Sequence, residues 1–367
     1  MIKENKKTIL IAGGGTGGHL FPAIAIGNGL EAKKIMVHYI GSKFGIEKKF
    51  FKKSNLEYNL INIKGIQRSF TLKSLLINLT FPFRFIIAYF QSLRIILYYK
   101  PLAIIGTGGY CSGLPLIVAH HLKIPTFIQD QNSTPGLITR KLKNKINKIF
   151  LAYENAAMDL NTNNCRIFGN PLRDDLKRKN IFSCKRKFKL DENKKTILIL
   201  GGSQGATPIN MHIFNNINFY LKNDIQILWQ CGEKDYKKLS KMSLSKNIII
   251  KPFIKNMSEA YSASDLVISR AGAITISELT FMNKAMVLIP YIYAADNHQL
   301  KNAQFLENNK ACILIKQDEL KTGILENKII EILDNNSILE ELKNYSSKMA
   351  MPNATSDITK EIIDSIS

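Results

Sequence analysis

The sequence predicts an α/β fold of two Rossmann-like domains, each built on a parallel sheet, and three observations carry that expectation. The stretch KKTILIAGGGTGGH beginning at Lys6 returns as KKTILILGGSQGA beginning at Lys194, so a strand, a glycine-rich turn and a helix start are written twice. Both apolar runs lack polar alternation, which suits strands covered on both faces. At 367 residues, 45% of them hydrophobic, the chain has material for two cores of ordinary size.

In the first half, Thr8 to Ala12 reads as a strand, Gly13 to Gly18 as a turn, and HLFPAIAIGNGL as a helix starting near His19. Glycines let the backbone approach closely and take positive φ, while free N–H groups and the helix dipole face an anion. No Gly-Lys-Ser/Thr follows the glycines, which disfavours a P-loop triphosphatase. The second strands of the two halves, KIMVHYIGS and DIQILWQCG, end without the acid that holds the ribose of a nicotinamide cofactor; Glu233 comes past the strand end.

A second glycine turn, Thr107 to Gly113, follows PLAIIG and precedes a helix-like LPLIVAHHL. A third loop, in IPTFIQDQNSTPG, carries Asp130 and Asn132 beyond an apolar run. In an open parallel sheet such loops share the crevice at the carboxyl ends of the strands, where ligands bind. Between them lies FTLKSLLINLTFPFRFIIAYFQSLRIILYYKP, the most apolar and aromatic segment. Lys73, Arg84 and Arg94 leave no charge-free stretch approaching about 18 residues, and Pro82 interrupts it, so it is no membrane span. It reads either as a pair of helices packed on the sheet or as a surface, ringed by Lys73, Arg84, Arg94 and Lys100, that rests on an anionic bilayer.

RIFGNPLRDDL reads as a turn closing the first domain, and KRKNIFSCKRKFKLDENKK as a solvated linker or exposed edge; no aromatic interleaving there supports base stacking. Thr196 to Leu200 then restarts the pattern, with Gly201, Gly202, Ser203, Gln204 and Gly205 as its turn. Further on, Leu266 to Ser269 is a strand, Ala271 to Ala273 a compact turn, and Thr275 to Phe281 a helix with Glu278 in its first turns. Its N-terminus is another anion site; Glu278 suits a ribose diol or, alternatively, compensates the helix dipole. The strand AMVLIP leads to Asp296, His298, Gln299 and Asn302, a density of polar groups with no structural need.

Composition bounds the partners and the compartment. Lys+Arg 51 against Asp+Glu 29 gives a formal net charge of +22, suited to an anionic partner: nucleic acid, acidic lipid or phosphorylated substrate. Cys111, Cys165, Cys184, Cys231 and Cys312 are odd in number and form no CxxC pair, so neither a disulfide framework nor a zinc site is indicated. MIKENKKTIL lacks an apolar signal core, and a cytoplasmic location is expected.

In order and at similar spacing, GGGTGGHLFPAIAI, GTGGYCSGLP, QDQNSTPG, GNPLR, LGGSQGA, SRAGAITISEL and DNHQLKNA resemble the motifs of the MurG family of bacterial glycosyltransferases, from about Thr8 to Phe305. The resemblance implies a GT-B-type fold, two Rossmann-like domains facing a cleft: residues 1–172 and 173–351, with a final helix in 352–367 returning to the first. It implies inverting transfer of N-acetylglucosamine from UDP-N-acetylglucosamine to the muramoyl 4-hydroxyl of lipid I, the undecaprenyl-diphosphate-linked muramoyl-pentapeptide. The product would be lipid II for peptidoglycan synthesis, and hence for cell shape and division. The implied setting is peripheral, on the anionic cytoplasmic face of the inner membrane, without nucleic acid. No cofactor or bound metal is implied; the chain has no DxD motif, and helix N-termini would neutralise the leaving diphosphate.

Carried over by position, Thr16, Gly17 and Gly18 would line the diphosphate or acceptor side of the first loop, with Tyr110 a further substrate-binding position. His19 becomes the candidate general base, an imidazole being suited to proton exchange near neutral pH; its alternative role is to shape the loop. Asn132, Arg173 and Ser203 match donor-contacting positions, Arg173 through its guanidinium fork. Ile254 would meet the uracil through its backbone, Ala273, Ile274, Thr275, Ile276, Ser277 and Glu278 would hold diphosphate and ribose, and Gln299 the sugar hydroxyls. The chain departs from the family at Gln129-Asp130-Gln131-Asn132, where His-Glu-Gln-Asn is usual, and at His298, which precedes Gln299 where two glutamines are common. Asp130 withdraws the carboxylate by one methylene, which argues against an active role. Two other classes stay open: a UDP-sugar epimerase, needing an acid and base flanking the sugar, and a UDP-sugar-binding scaffold without turnover, against which the intact His19 and Gln299 argue.

Overall fold

The computed structural model describes residues 7–66, 71, 78–202, 205–241 and 245–366. The chain forms two compact units, Met1–Arg173 together with Pro352–Ser367, and Asp174–Met351. Strands of the first are β1 (Thr8–Ala12), β2 (Met36–Ser42), β3 (Tyr58–Ile61), β4 (Ala103–Gly106), β5 (Thr126–Asp130), β6 (Lys148–Leu151) and β7 (Cys165–Ile167), in the order β3-β2-β1-β4-β5-β6-β7. Those of the second are β8 (Thr196–Leu200), β9 (Gln226–Gln230), β10 (Ile248–Lys251), β11 (Leu266–Ser269), β12 (Ala285–Leu288) and β13 (Ile313–Leu314), in the order β10-β9-β8-β11-β12-β13. Each pairing is parallel.

Both sheets are therefore wound alike: the chain enters at an inner strand, adds two strands on one side, then crosses to build the other. The repeated motif is that inner strand, β1 or β8, beside the point where the winding reverses. Ligands of such sheets bind beyond the carboxyl ends of the strands at this point. β1 shows why the motif is apolar throughout. Ile9 and Ile11 enter one core with Tyr39, Phe127 and Phe150, whereas Leu10 and Ala12 enter the opposite core with Ile40, Ile104 and Ile128. With alternate side chains buried on opposite faces, no position is left for a polar residue.

The glycine turns launch their helices sooner than the sequence suggests. Helix Gly17–Glu31 starts two residues before His19, helix Tyr110–His121 absorbs the expected turn residues Tyr110 to Gly113, and helix Ala273–Phe281 starts at Ala273. Gly109 makes the second start possible, since its φ of 76° is one that side chains avoid.

The segment expected to be a linker is also corrected. Residues Ile181–Lys187 form a helix whose N-cap Asn180 accepts from the Ser183 N–H at 3.0 Å. It packs on helix Met257–Ala263 with Cys184 buried, and the buried Lys185 spends its charge on the Lys194 carbonyl at 2.6 Å and on Asp265 at 3.5 Å. Two buried positions, one of them a lysine, make too weak an apolar stripe for periodicity to reveal.

Helix Phe81–Tyr99 turns Ala88, Ser92 and Ile96 inward at four-residue spacing. Phe83, Ile86, Phe90 and Leu97 occupy the opposite face, each more than half exposed. Pro82 does not interrupt the helix: it lies in the first turn, where a missing N–H costs no intrahelical bond. Lys73 and any first helix of the expected pair lie outside the described residues. No helix among the described residues is long and apolar enough to cross a membrane.

Helix Ala354–Ile366 completes the first unit. Ile358 and Ile362 are fully buried against β1 and helix Gly17–Glu31. A side chain at Gly29 would lie 2.8 Å from a Thr359 methyl, so glycine is what lets the two helices close. Lys148 and Glu361 add an ion pair. Ile358→Ala is expected to cost about 3 kcal/mol through the cavity it leaves. Urea unfolding of the first unit measures this, with exposed Lys360→Ala expected to stay within about 0.5 kcal/mol of the parent.

Candidate active site

In the first unit three loops meet at the buried Thr107. Its N–H donates to the Ala12 carbonyl at 2.9 Å and its hydroxyl to the His19 carbonyl at 2.8 Å. Its own carbonyl lies 3.0 Å from His19 Nδ1 and accepts from Gln131 Nε2 at 2.8 Å. Gly13 has no room for a side chain, since a Cβ would fall 1.9 Å from the Thr107 hydroxyl. Gly108, at φ +95°, lets the His19 ring settle on its backbone; a Cβ there would sit 2.5 Å from Nδ1.

The first glycine loop is less open to anions than its sequence suggests. Gly13 N–H donates to the Ile40 carbonyl at 3.1 Å, and Gly15 N–H to Glu47 Oε2 at 2.7 Å. Glu47, wholly buried, also accepts from Ser42 N–H at 2.8 Å through Oε1. A Cβ on Gly14 or Gly45 would overlap its carboxylate. With the Gly15 N–H held by Glu47, the N–H groups left to a ligand are those at the start of helix Gly17–Glu31, where the first turn lacks intrahelical acceptors. Glu47 lies in an unremarkable basic stretch and only the fold brings it here. Burial raises the Cys111 thiol pKa, and the nearby Glu47 carboxylate adds to that rise electrostatically.

Asp130 has a structural task. Its Oδ2 accepts from Gly136 N–H at 2.7 Å and from the Thr139 hydroxyl at 2.5 Å, and Oδ1 from Asn132 N–H at 3.4 Å, so it ties the Asn132 loop to the next helix. Tyr110 is half-buried, its ring lying where a Gly65 side chain would project. Asn132 and Arg173, both half-buried, belong to the first unit.

In the second unit the candidate residues line the carboxyl ends of neighbouring strands. Ser203 lies outside the described residues. Ile254 follows β10, and its N–H donates to Gln230 Oε1 at 2.8 Å while Gln230 Nε2 donates to the Gly202 carbonyl at 3.2 Å. A base approaching that N–H must displace the Gln230 carbonyl oxygen. In the helix after β11, Ala273, Ile274 and Thr275 present first-turn N–H groups toward the same end of the sheet. Ile274, Thr275, Ser277 and Glu278 are half-buried. Ile276 is 2% exposed and its N–H is spent on the Gly272 carbonyl at 2.9 Å, so it offers a ligand neither side chain nor N–H. Glu278 Oε2 accepts from the buried Tyr261 hydroxyl at 2.7 Å, an orienting contact from another helix.

The polar group after β12 does have structural uses, contrary to expectation. His298 Nδ1 lies 2.7 Å from the Ala295 carbonyl, Asn302 Nδ2 donates to the Ala271 carbonyl at 3.2 Å, and Gln299 Oε1 accepts from Tyr291 N–H at 2.9 Å. Arg270, not singled out by its motif, braces the loop by donating to the Ile289, Pro290 and Gln317 oxygens at 3.1, 2.9 and 2.6 Å. Burial lowers its pKa to about 10, which leaves it charged at neutral pH. Among the described residues no group of three or more His, Cys, Asp or Glu is placed to hold a metal ion.

Two parallel sheets of this winding, with helix N-termini at their carboxyl ends, match the GT-B class of glycosyltransferase fold. Residues 9–151 match the N-terminal domain, and residues 196–358 the C-terminal domain, of glycosyltransferase family 28, and the chain belongs to that family. A Flavobacterium psychrophilum relative is 40% identical over 96% of each chain, and one from Thermodesulfovibrio yellowstonii 39% identical over 98% of each. Both bear the name UDP-N-acetylglucosamine–N-acetylmuramyl-(pentapeptide) pyrophosphoryl-undecaprenol N-acetylglucosamine transferase. The crystal structure of Acinetobacter baumannii MurG superposes with a TM-score of 0.75 at 28% identity, covering 98% of this chain and 99% of that one. A calicheamicin glycosyltransferase shares the fold at a TM-score of 0.72 and 10% identity, each chain covered to 98%.

On the expectation that Glu278 receives a nucleotide ribose, Tyr261→Phe removes one hydrogen bond to its carboxylate and should weaken UDP binding by about 1.5 kcal/mol, roughly tenfold. Calorimetric titration with UDP and 2′-deoxy-UDP checks it: the loss should be smaller for the deoxy ligand.

Proposed function

We propose that this chain is an inverting glycosyltransferase that moves N-acetylglucosamine from UDP-N-acetylglucosamine to the muramoyl 4-hydroxyl of lipid I, yielding lipid II. The observation that carries the reading is the full-length relation, across both units, to transferases named for that reaction. In this reading His19 takes the proton of the acceptor hydroxyl as its oxygen attacks the anomeric carbon. The bond to the diphosphate breaks on the opposite face, and UDP leaves with the electron pair. The N–H groups of Ala273, Ile274 and Thr275 offset the charge growing on the diphosphate. Glu278 receives the ribose hydroxyls, Asn132, Arg173 and Ser203 contact the donor, and Gln299 positions the sugar.

The acceptor's lipid tail requires a bilayer, and the outer face of helix Phe81–Tyr99 supports peripheral docking at the cytoplasmic side. Phe83, Ile86, Phe90 and Leu97 follow helical spacing over about 20 Å. Arg94 and Lys100, both exposed, add the positive charge that anionic headgroups attract, whereas the Arg84 guanidinium is turned onto the Phe44 ring, 4.9 Å from its centre.

Transfer of radiolabelled N-acetylglucosamine to a lipid I analogue tests the reaction, with free hydrolysis and epimerisation of the UDP-sugar assayed alongside. His19→Ala is expected to lower turnover by about 10² to 10⁴ with UDP affinity unchanged, whereas Glu278→Ala should weaken donor binding first. The opposite pattern would reverse the two roles. For docking, Phe83→Ser with Phe90→Ser is expected to reduce binding to anionic vesicles by roughly tenfold or more. Sedimentation in rising salt should weaken what remains, and binding insensitive to both changes would refute the docking face.

A further inference from the structure

Behind His19 runs a closed set of amide hydrogen bonds. Gln131 Oε1 lies 2.9 Å from His19 Nδ1. Gln131 Nε2 is directed at three oxygens: the Thr107 carbonyl at 2.8 Å, the Gln129 carbonyl at 3.2 Å and Gln129 Oε1 at 2.6 Å. Gln129 Nε2 donates to Asn170 Oδ1 at 3.0 Å, and Asn170 Nδ2 donates to the Gln131 carbonyl at 3.1 Å. Gln129, Gln131 and Asn170 are 0%, 2% and 3% exposed, so water does not compete for these bonds.

The direction of every bond follows from groups that cannot turn. The Thr107 and Gln129 backbone carbonyls only accept, so the Gln131 end facing them must be its NH₂; the reversed amide would set its oxygen against three others. Its oxygen then faces His19. Gln129 Oε1, accepting from Gln131, turns its NH₂ to Asn170, whose own NH₂ reaches a backbone carbonyl. His19 Nδ1 thus meets two acceptors, the Thr107 carbonyl and Gln131 Oε1, and must carry the proton to satisfy either.

We propose that Gln131, held by Gln129 and Asn170, is a positioning residue that keeps neutral His19 in the Nδ1–H tautomer, so that Nε2 presents its lone pair to the acceptor hydroxyl. This rests on the reading of His19 as the base. The relay is built from amides, which orient the ring without adding a charge beside it, whereas a carboxylate in the same place would also stabilise imidazolium. Its role is to keep the ring from turning or from placing its proton on Nε2, either of which leaves no base facing the hydroxyl.

The test is two-bond ¹H–¹⁵N correlation on the full chain labelled at histidine nitrogen, at a pH where His19 is neutral, with the His19 signals identified by their loss in H19Q. Wild-type His19 should show a protonated Nδ1 and an unprotonated Nε2. Q131L should draw the two nitrogen shifts together as the tautomers mix, lowering kcat about tenfold while the KM for UDP-N-acetylglucosamine holds. A wild-type Nε2–H tautomer overturns the proposal even if Q131L fails to fold, as do unchanged shifts in a folded Q131L. Undiminished transfer by H19Q, with the tautomer as proposed, would instead overturn the base assignment and with it the catalytic purpose of the relay.

Discussion

The first unit depends on how closely its chain can approach Thr107. This residue meets the first turn of helix Gly17–Glu31 with its hydroxyl, the end of β1 with its N–H, and the turn after β5 with its carbonyl. Gly13 is needed to leave space, since a side chain there would separate the first loop from the second, and Gly108 both for its φ of +95° and because a side chain there would push the His19 ring away. The glycine-rich turn thus fixes a side chain as much as it offers N–H groups to an anion. Part of that offer is already taken, because Ile40 and Glu47 hold the Gly13 and Gly15 amides. What remains exposed is the helix start, with His19 next to it.

The second unit meets the same problem with different side chains. Its loops at the carboxyl ends of the strands are braced by long polar groups: Gln230 spans from the first glycine turn to Ile254, Arg270 reaches the loop after β12, and Tyr261 fixes Glu278. The bracing bond at Ile254 occupies the N–H expected to receive the base. Binding there exchanges one hydrogen bond for another, so the net gain is modest and selectivity lies in how well the incoming edge replaces an amide oxygen.

Much of this fold was legible because its signals are local. A continuous apolar run ending in glycines means a buried parallel strand whatever surrounds it, and two such runs placed β1 and β8 correctly. The motif resemblance assigned the family and, through it, candidate positions in both units. What stayed hidden depends on distance along the chain. Glu47 reaches Gly15 across 32 residues and Gln131 reaches His19 across 112, and neither pairing has a spacing rule. Asn302 looked like a spare polar group because the carbonyl it serves, that of Ala271, lies 31 residues away, whereas His298 meets a carbonyl only three residues back, a local contact that composition does not reveal. Helix Ile181–Lys187 was misread because its buried face includes a lysine whose satisfied ammonium no hydropathy pattern anticipates.

The helix Ala354–Ile366 has a consequence for biosynthesis. The wall of the first core that contains Ile358 and Ile362 is translated only after the whole second unit, about 180 residues beyond Arg173. At ordinary elongation rates that is a wait of roughly 10–35 s. Throughout it, β1 and helix Gly17–Glu31 have an apolar face with no native cover on the ribosome. A nascent chain in that interval is a natural client for a chaperone, and a product cut short near its end would keep the face exposed, a feature by which quality control can recognise unfinished copies.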